Sequence, residues 1–181
     1  MTTSQRLELM DEVKRVFYHS YDSYMEHAFP MDELAPLSCR GMRSSLTAGT
    51  MLTLVDALDT LAVLGNHTEF NRAVHLILAR EIDLFNVDDT VSVFETTIRV
   101  LGGLLSAHLF IMDPDLHLNT PNYDGGLLRL AINLADRLMP AFKTTTHIPI
   151  GTVHLKPGCL GGRLVFLAFF LQRRTAGGKK N

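Results

Sequence analysis

The sequence is poor in the residues that build cross-linked, metal-bound or nucleotide-binding proteins. It has no tryptophan, and its two cysteines, Cys39 and Cys159, are too few for a disulfide framework and form no CxxC zinc motif. One disulfide and two free thiols are both open. The eight histidines include no HExxH pattern, which argues against a metal site. There is also no GxSxG motif and no glycine-rich phosphate loop.

Strong charge and long apolar runs are missing too. The formal net charge is −2, so there is no electrostatic case for binding nucleic acid or an anionic membrane surface. The longest apolar run, residues 164–171, is shorter than the roughly 18 residues that indicate a transmembrane helix. The N-terminus is charged from Arg6 onward and lacks the apolar region of a secretory signal peptide. Taken alone, these features predict a cytosolic protein.

The sequence does contain many apolar residues at helical spacing. Apolar residues make up 46% and charged residues 20%, which suits one packed domain. The spacing predicts five helices, over residues 5–28, 46–64, 68–82, 89–112 and 126–142. Ser4 is expected to cap the first helix, and Gly65 to end the second. Residues 147–155, HIPIGTVHL, have the alternating β-branched residues of an extended segment.

The order of these segments predicts an all-α fold in a single domain. Neighbouring helices with short links indicate antiparallel helical hairpins, and no strands alternate with them. Residues 5–158 are interpreted as this domain. Residues 159–181 are interpreted as a divergent tail, because a short apolar run followed by basic and glycine-rich residues is not typical of a domain's end.

The stretch SVFETTIRVLGG, residues 92–103, places a carboxylate and a guanidinium one turn apart on an apolar helix. At 100° per residue, four apolar residues lie within about 60° and form the predicted core stripe: Phe94, Ile98, Leu101 and Leu105. A second stripe holds polar or small residues: Glu95, Arg99, Gly102 and Ser106. Paired glycines cost a helix about 1 kcal/mol each relative to alanine. We therefore expect another backbone or a ligand to approach closely at Gly102 and Gly103.

Two interpretations of Glu95 and Arg99 are open at this point. They form either an exposed ion pair, which stabilises a helix by about 0.3–0.5 kcal/mol, or part of an active site. In the second case Glu95 lies in a cavity and acts as a general acid, while Arg99 binds the substrate. Periodicity alone does not decide between them.

Further carboxylates lie on or near the second predicted helix, which is apolar on nearly every side. Asp56 and Asp59 are three residues apart there. A buried carboxylate without partners is costly, so we expect both to bind neighbouring helix N-termini or arginines, in preference to a catalytic role. Asp32 and Glu33 belong to a predicted loop, where helix capping and substrate contact are both open.

Four long motifs resemble one enzyme family. They are YDSYMEHAFPMDELAPLSCRG, LTLVDALDTLAVLGN, SVFETTIRVLGGLLSAHL and RLMPAF, in that order. Together they resemble glycoside hydrolase family 47, the class I α-1,2-mannosidases, and within it the ER-degradation-enhancing α-mannosidase-like branch. The resemblance covers about residues 7–158. It implies a partial (α/α)7 barrel with about five or six of the family's roughly fourteen helices.

The resemblance also implies an activity. Family members are inverting glycosidases that use calcium and remove α-1,2-linked mannose from N-glycans. The family's acidic residue falls on Glu95, as general acid, and its arginine falls on Arg99, as a substrate contact. An inverting enzyme needs a second carboxylate about 6.5–9.5 Å from the first. In the family that carboxylate and the calcium-binding threonine come later in the chain, so no metal ligand is expected here.

We therefore interpret the chain as an N-terminal fragment of such a mannosidase. The implied partner is the high-mannose N-glycan of misfolded glycoproteins in the lumen of the endoplasmic reticulum. Cys39 would find any disulfide partner in the missing part. Two alternatives stay open: a non-catalytic module that binds glycans or glycoproteins, and a helical fragment without an independent function.

Overall fold

The computed structural model describes residues 1–118, 120–146 and 148–156. Within these ranges the fold is carried by five long helices: α1 Thr3–His27, α2 Leu52–Val63, α3 His67–Leu78, α4 Val93–Met112 and α5 Gly126–Leu138. Short strands form two antiparallel pairs, β1 Glu33–Ala35 with β2 Arg40–Met42 and β3 Thr90–Ser92 with β4 Thr152–His154. Residues 147–155 are predicted to be extended, and β4 confirms this for Thr152–His154, while residue 147 lies outside the described residues. Two 3-10 turns, Pro114–Leu116 and Met139–Phe142, follow α4 and α5.

The helix α4 is not α-helical throughout. Residues Thr96–Leu101 are π-helical, between α-helical turns at Val93–Glu95 and Gly102–Met112. A π-helical segment closes each hydrogen-bonded turn one residue later than an α-helix does, and such segments are frequent at functional sites. This one begins directly after Glu95 and contains Arg99.

Helix ends differ from the predicted ones where side chains cap the backbone. The cap of α1 is Thr2, which forms a capping box with Gln5, so the prediction of Ser4 was wrong. The Ser4 hydroxyl instead donates to Glu8. Gly65 follows α2 with φ of 74°, which confirms it as the residue that ends this helix.

The second helix begins later than predicted because a loop precedes it. Residues 44–51 wrap around the fully buried carboxylate of Asp32. That carboxylate accepts backbone hydrogen bonds from Ser44 at 2.9 Å, Gly49 at 2.6 Å and Leu52 at 3.1 Å. Of the two open roles for Asp32, the structure supports capping. Its neighbour Glu33 lies half-buried in β1.

The core lies between α2, α3, α4 and α5. Its largest fully buried side chains on these helices are Leu54, Leu58, Leu61, Phe70, Ile77, Leu104, Leu127, Leu130 and Leu134. The first half of α1 contributes little to it, since the first buried residues of that helix are Tyr21 and Tyr24. Before them, Leu9, Val13 and Val16 are exposed although their spacing predicts a buried stripe.

The predicted core stripe of α4 was wrong by one residue. Phe94 is 67% exposed and Ile98 is 53% exposed, whereas Leu101 and Leu105 are half-buried. The buried face is instead Val93, Thr96, Val100, Leu104 and Ala107. Because α4 is apolar on more than one side, its spacing does not tell which side meets the core.

Length and composition alone would let α4 cross a membrane. One such helix is weak evidence, because a core helix of a soluble protein passes the same test. The sequence-based prediction that no helix spans a membrane therefore stays a prediction.

The cysteines and the domain limits divide between described and undescribed residues. Cys39 is exposed in the turn between β1 and β2 and forms no disulfide with any residue of the described ranges. Cys159 and the predicted tail, residues 159–181, lie outside the described residues. The proposed domain limits of 5–158 and 159–181 stay predictions.

Candidate active site

Glu95 lies at the start of α4, where three separate stretches of chain hold the backbone. The hydroxyl of Ser92 accepts a hydrogen bond from the Glu95 amide at 3.3 Å. The amide of Ser92 donates to the carbonyl of Leu46 at 2.8 Å, and the amide of Val93 donates to the carbonyl of Gly151 at 2.9 Å. These bonds satisfy amides that a helix start leaves free, so they fix the first turn of α4.

The arginine one turn later binds carboxylates of two helices. Arg99 Nε donates to Glu95 Oε2 at 2.7 Å, and Arg99 Nη1 donates to Asp56 Oδ2 at 3.1 Å. The side chain of Glu95 is 23% exposed, that of Asp56 36% and that of Arg99 47%. The structure thus brings Glu95 and Arg99 together, and the expectation that Asp56 binds an arginine is confirmed.

The second carboxylate of α2 has a different partner from the expected one. The hydroxyl of Ser106 on α4 donates to Asp59 Oδ2. The prediction of a helix N-terminus or an arginine was wrong for Asp59, because a serine of the facing helix supplies the donor. Within the described residues, the other oxygen, Asp59 Oδ1, is buried without a hydrogen-bond partner.

A glycine brings these two helices close together. A Cβ added at Gly103 would lie 2.9 Å from Cγ1 and 3.2 Å from the carbonyl oxygen of Val55. A Cβ at Gly102 would meet only the carbonyl oxygen of Thr97, at an ordinary 3.5 Å. The predicted close approach of another backbone is confirmed at Gly103. Among the described residues no other backbone approaches Gly102, which therefore does not belong to the face turned toward α2, and the alternative of a ligand at Gly102 stays a prediction.

Burial and charge set the electrostatics of the site. Burial raises the pKa of Asp56, the neighbouring Glu95 and Asp59 raise it further, and Arg99 opposes these effects. The hydrogen bonds that Arg99 donates to Glu95 and to Asp56 raise the pKa of Arg99. The guanidinium of Arg99 therefore binds two carboxylates, and a third, that of Asp59, lies close by. Such a site offers proton-transfer groups and hydrogen-bond donors to a neutral ligand rich in hydroxyl groups.

Sequence reasoning missed that Asp56 belongs to the same cluster as Glu95 and Arg99. A signal was present, because Asp56 and Arg99 are charged residues on two largely apolar helices. When two such helices pack, a carboxylate and a guanidinium at the edge of their contact can form an ion pair. Which charges meet depends on the packing of α2 on α4, and spacing within one helix does not contain that information.

No metal cluster is found in the described part of the chain, residues 1–118, 120–146 and 148–156. There, no three His, Cys, Asp or Glu side chains lie together in a way that could hold a metal ion. The described residues do not fit a calcium ion.

Comparison with known proteins identifies the family. Residues 16–162, which include Glu95, Arg99 and Asp56, match the glycosyl hydrolase family 47. The chain belongs to this family. A family 47 relative, alpha-mannosidase I MNS4 of Arabidopsis thaliana, is 53% identical over 151 residues, which are 83% of this chain and 24% of that protein.

Further family 47 relatives agree. The ER degradation-enhancing alpha-mannosidase-like protein 2 of Homo sapiens is 50% identical over 149 residues, which are 82% of this chain and 25% of that protein. The chain thus spans about a quarter of the length of these relatives.

A solved structure of the family shows the fold. The alpha-1,2-mannosidase from Trichoderma reesei superposes with a TM-score of 0.68 at 29% sequence identity, covering 92% of this chain and 37% of that one. The fold is therefore a part of the family's (α/α)7 barrel, and the predicted all-α class is confirmed.

Proposed function

We propose that this chain carries the proton-donating side of an active site that removes α-1,2-linked mannose from N-linked high-mannose glycans. The observation that carries the proposal is the placement of Glu95. Its carboxylate is fixed on the first turn of α4 and bound to Arg99, inside the residues that match family 47. A carboxyl group held by a rigid helix and largely withdrawn from water is suited to general acid catalysis.

The proposed chemistry assigns one role to each side chain. Glu95, in its protonated form, gives its proton to the oxygen that leaves the glycosidic bond. Arg99 donates hydrogen bonds to hydroxyl groups of the sugar and holds them beside Glu95. Asp56 is not the water-activating base, because it binds the same guanidinium as Glu95. An inverting enzyme needs its base on the opposite face of the sugar ring.

The setting is proposed from the relatives. Several of them are named ER degradation-enhancing alpha-mannosidase-like proteins. We place this chain accordingly in the lumen of the endoplasmic reticulum, acting on misfolded glycoproteins. Calcium belongs to the proposal through the family alone.

A second candidate function is glycan or glycoprotein binding without cleavage. The residues that match about a quarter of the relatives' length include Glu95 and Arg99, and the resemblance implies that the second catalytic carboxylate comes later in the family's sequence. A module with the acid and the arginine but without the base would bind high-mannose glycans or misfolded glycoproteins without cleaving them.

The test measures mannose released from α-1,2-mannobiose by the purified chain, with calcium added. We expect Glu95→Gln to lower the rate by about 100-fold or more, since a general acid contributes at least that factor. The matched control is Glu81→Gln. Glu81 also accepts a hydrogen bond from an arginine, Arg129 at 2.6 Å, but on the surface and outside the site.

Three results separate the two functions. Loss of activity in Glu95→Gln with full activity in Glu81→Gln supports the enzyme. Equal activity in Glu95→Gln and the wild type rejects Glu95 as the acid. No release by any variant rejects catalysis by this chain, and binding of a high-mannose glycan that Arg99→Ala abolishes then supports the binding module.

A further inference from the structure

Arg99 is held from two directions by carboxylates of different helices. Glu95 lies on the same helix, four residues earlier, and Asp56 lies on α2. Each carboxylate takes a different nitrogen, Nε and Nη1. Within the described ranges of the chain, the third nitrogen of the guanidinium, Nη2, makes no hydrogen bond, so it is available to a ligand.

One carboxylate would not hold this arginine in place. A half-exposed Arg–Glu pair within one helix is a weak constraint, because the long side chain keeps most of its rotamers. A second carboxylate at another nitrogen fixes the plane of the guanidinium as well as its position. With Asp56 as a second acceptor, Arg99 is a hydrogen-bond donor with a fixed position and orientation.

The backbone sets where Asp56 stands. The contact between Gly103 and Val55 fixes the approach of α4 to α2, and Asp56 directly follows Val55. One turn further along α2, Asp59 binds Ser106 of α4. Asp56 therefore lies between two contacts of α2 with α4, that of Val55 with Gly103 and that of Asp59 with Ser106.

We infer that Asp56 is a positioning residue, which holds Arg99 between α2 and α4 so that its Nη2 group faces the sugar beside Glu95. This rests on the proposed function, because the sugar is the ligand in question. Asp56 is partly buried, with a side chain that is 36% exposed, and a partly buried ion pair is screened less than a fully exposed one.

The first measurement needs no ligand. NMR relaxation of the Arg99 Nε–Hε group is recorded in the wild-type chain, in Asp56→Ala and in a control, Asp83→Ala. Asp83 also binds an arginine, Arg80 at 2.9 Å, but in an exposed pair. We expect the order parameter of Arg99 to fall below about 0.6 in Asp56→Ala alone. An unchanged order parameter overturns the inference.

The second measurement is the Kd of α-1,2-mannobiose for the same proteins. We expect Asp56→Ala to weaken binding about tenfold, the loss typical of a rotamer-rich side chain that must be ordered on binding, with the control unchanged. Greater mobility of Arg99 without a change in Kd overturns the positioning role.

Two further outcomes concern a variant that does not fold and a wild-type chain that does not bind the sugar. If Asp56→Ala does not fold, Asp56→Asn keeps the volume and one oxygen acceptor and removes the charge, and the same two criteria apply to it. If the wild-type chain does not bind mannobiose, the proposed function fails, and the mobility of Arg99 alone then decides whether Asp56 holds it.

Discussion

At the scale of single residues, Asp32 shows how much structure one carboxylate organises. It accepts three backbone hydrogen bonds from a loop in which Ala48, Gly49 and Met51 all adopt positive φ. Positive φ is unfavourable for residues with a Cβ and persists only where the surroundings impose it. The loop conformation therefore depends on Asp32, and so does the point at which α2 begins.

We expect Asp32→Ala to destabilise the chain by about 3 kcal/mol or more, since it leaves three buried amides without an acceptor. The measurement is the free energy of unfolding from urea titration. The control is Glu33→Ala, which we expect to change the free energy by about 0.5 kcal/mol or less. Equal effects of the two substitutions would show that the loop does not depend on the carboxylate.

The sequence allowed part of this site to be predicted. Glu95 and Arg99 were expected side by side because their spacing lies within one helix, where geometry is local. The capping role of Asp32 stayed open because its partners lie 12 to 20 residues further along the chain. The role of Asp56 depends on a contact 43 residues away, which no local pattern contains.

At the scale of elements, the contact between α2 and α4 controls the site. Gly103 permits it, whereas Gly102 points to open space apart from its own helix. Both glycines lower the intrinsic helix propensity of α4. The close contact with α2 requires a glycine at position 103 but not at position 102.

Substitution of each glycine by alanine tests this difference. We expect Gly103→Ala to destabilise the chain by about 1–3 kcal/mol, because the new methyl group presses on the Val55 backbone. Gly102→Ala should stabilise it by up to about 1 kcal/mol through helix propensity. Thermal and urea unfolding measure both. A stabilising effect of Gly103→Ala would mean that α2 and α4 are not in close contact.

Periodicity along the sequence predicted which segments form helices. It did not predict which side of a helix is buried, because the neighbouring helices determine that. All five helices were expected, and the ends of α1 and α3 were placed within a few residues. The buried side of α4 was assigned wrongly, because two of its stripes are apolar and only the neighbouring helices select one. The π-helical segment gave no signal that spacing could detect.

At the scale of the whole molecule, apolar side chains remain on the surface. Phe94 and Ile98 on α4 and Leu9, Val13 and Val16 on α1 are exposed. Exposed apolar patches promote association. The chain covers 37% of the solved Trichoderma reesei mannosidase, so the fold seen here is only part of a barrel in that protein.

We expect the double variant Phe94→Ser and Ile98→Ser to associate less than the wild type, because it removes apolar area from the surface. Its free energy of unfolding should change by less than about 1 kcal/mol, since neither side chain is buried. Light scattering and urea titration measure the two effects. The control Leu104→Ser, on the buried face of the same helix, should lower stability strongly. Unchanged association would show that this face does not drive it.

The hydrogen bond from the Val93 amide to the Gly151 carbonyl also affects the order in which parts of the chain fold. The contact between α2 and α4 needs no residue beyond 112, but the acceptor that completes the first turn of α4 belongs to residue 151. Contacts between distant residues form after local ones, because the intervening chain must first be closed into a loop. We therefore expect the first turn of α4, which carries Glu95, to be completed after α2 and α4 have packed together.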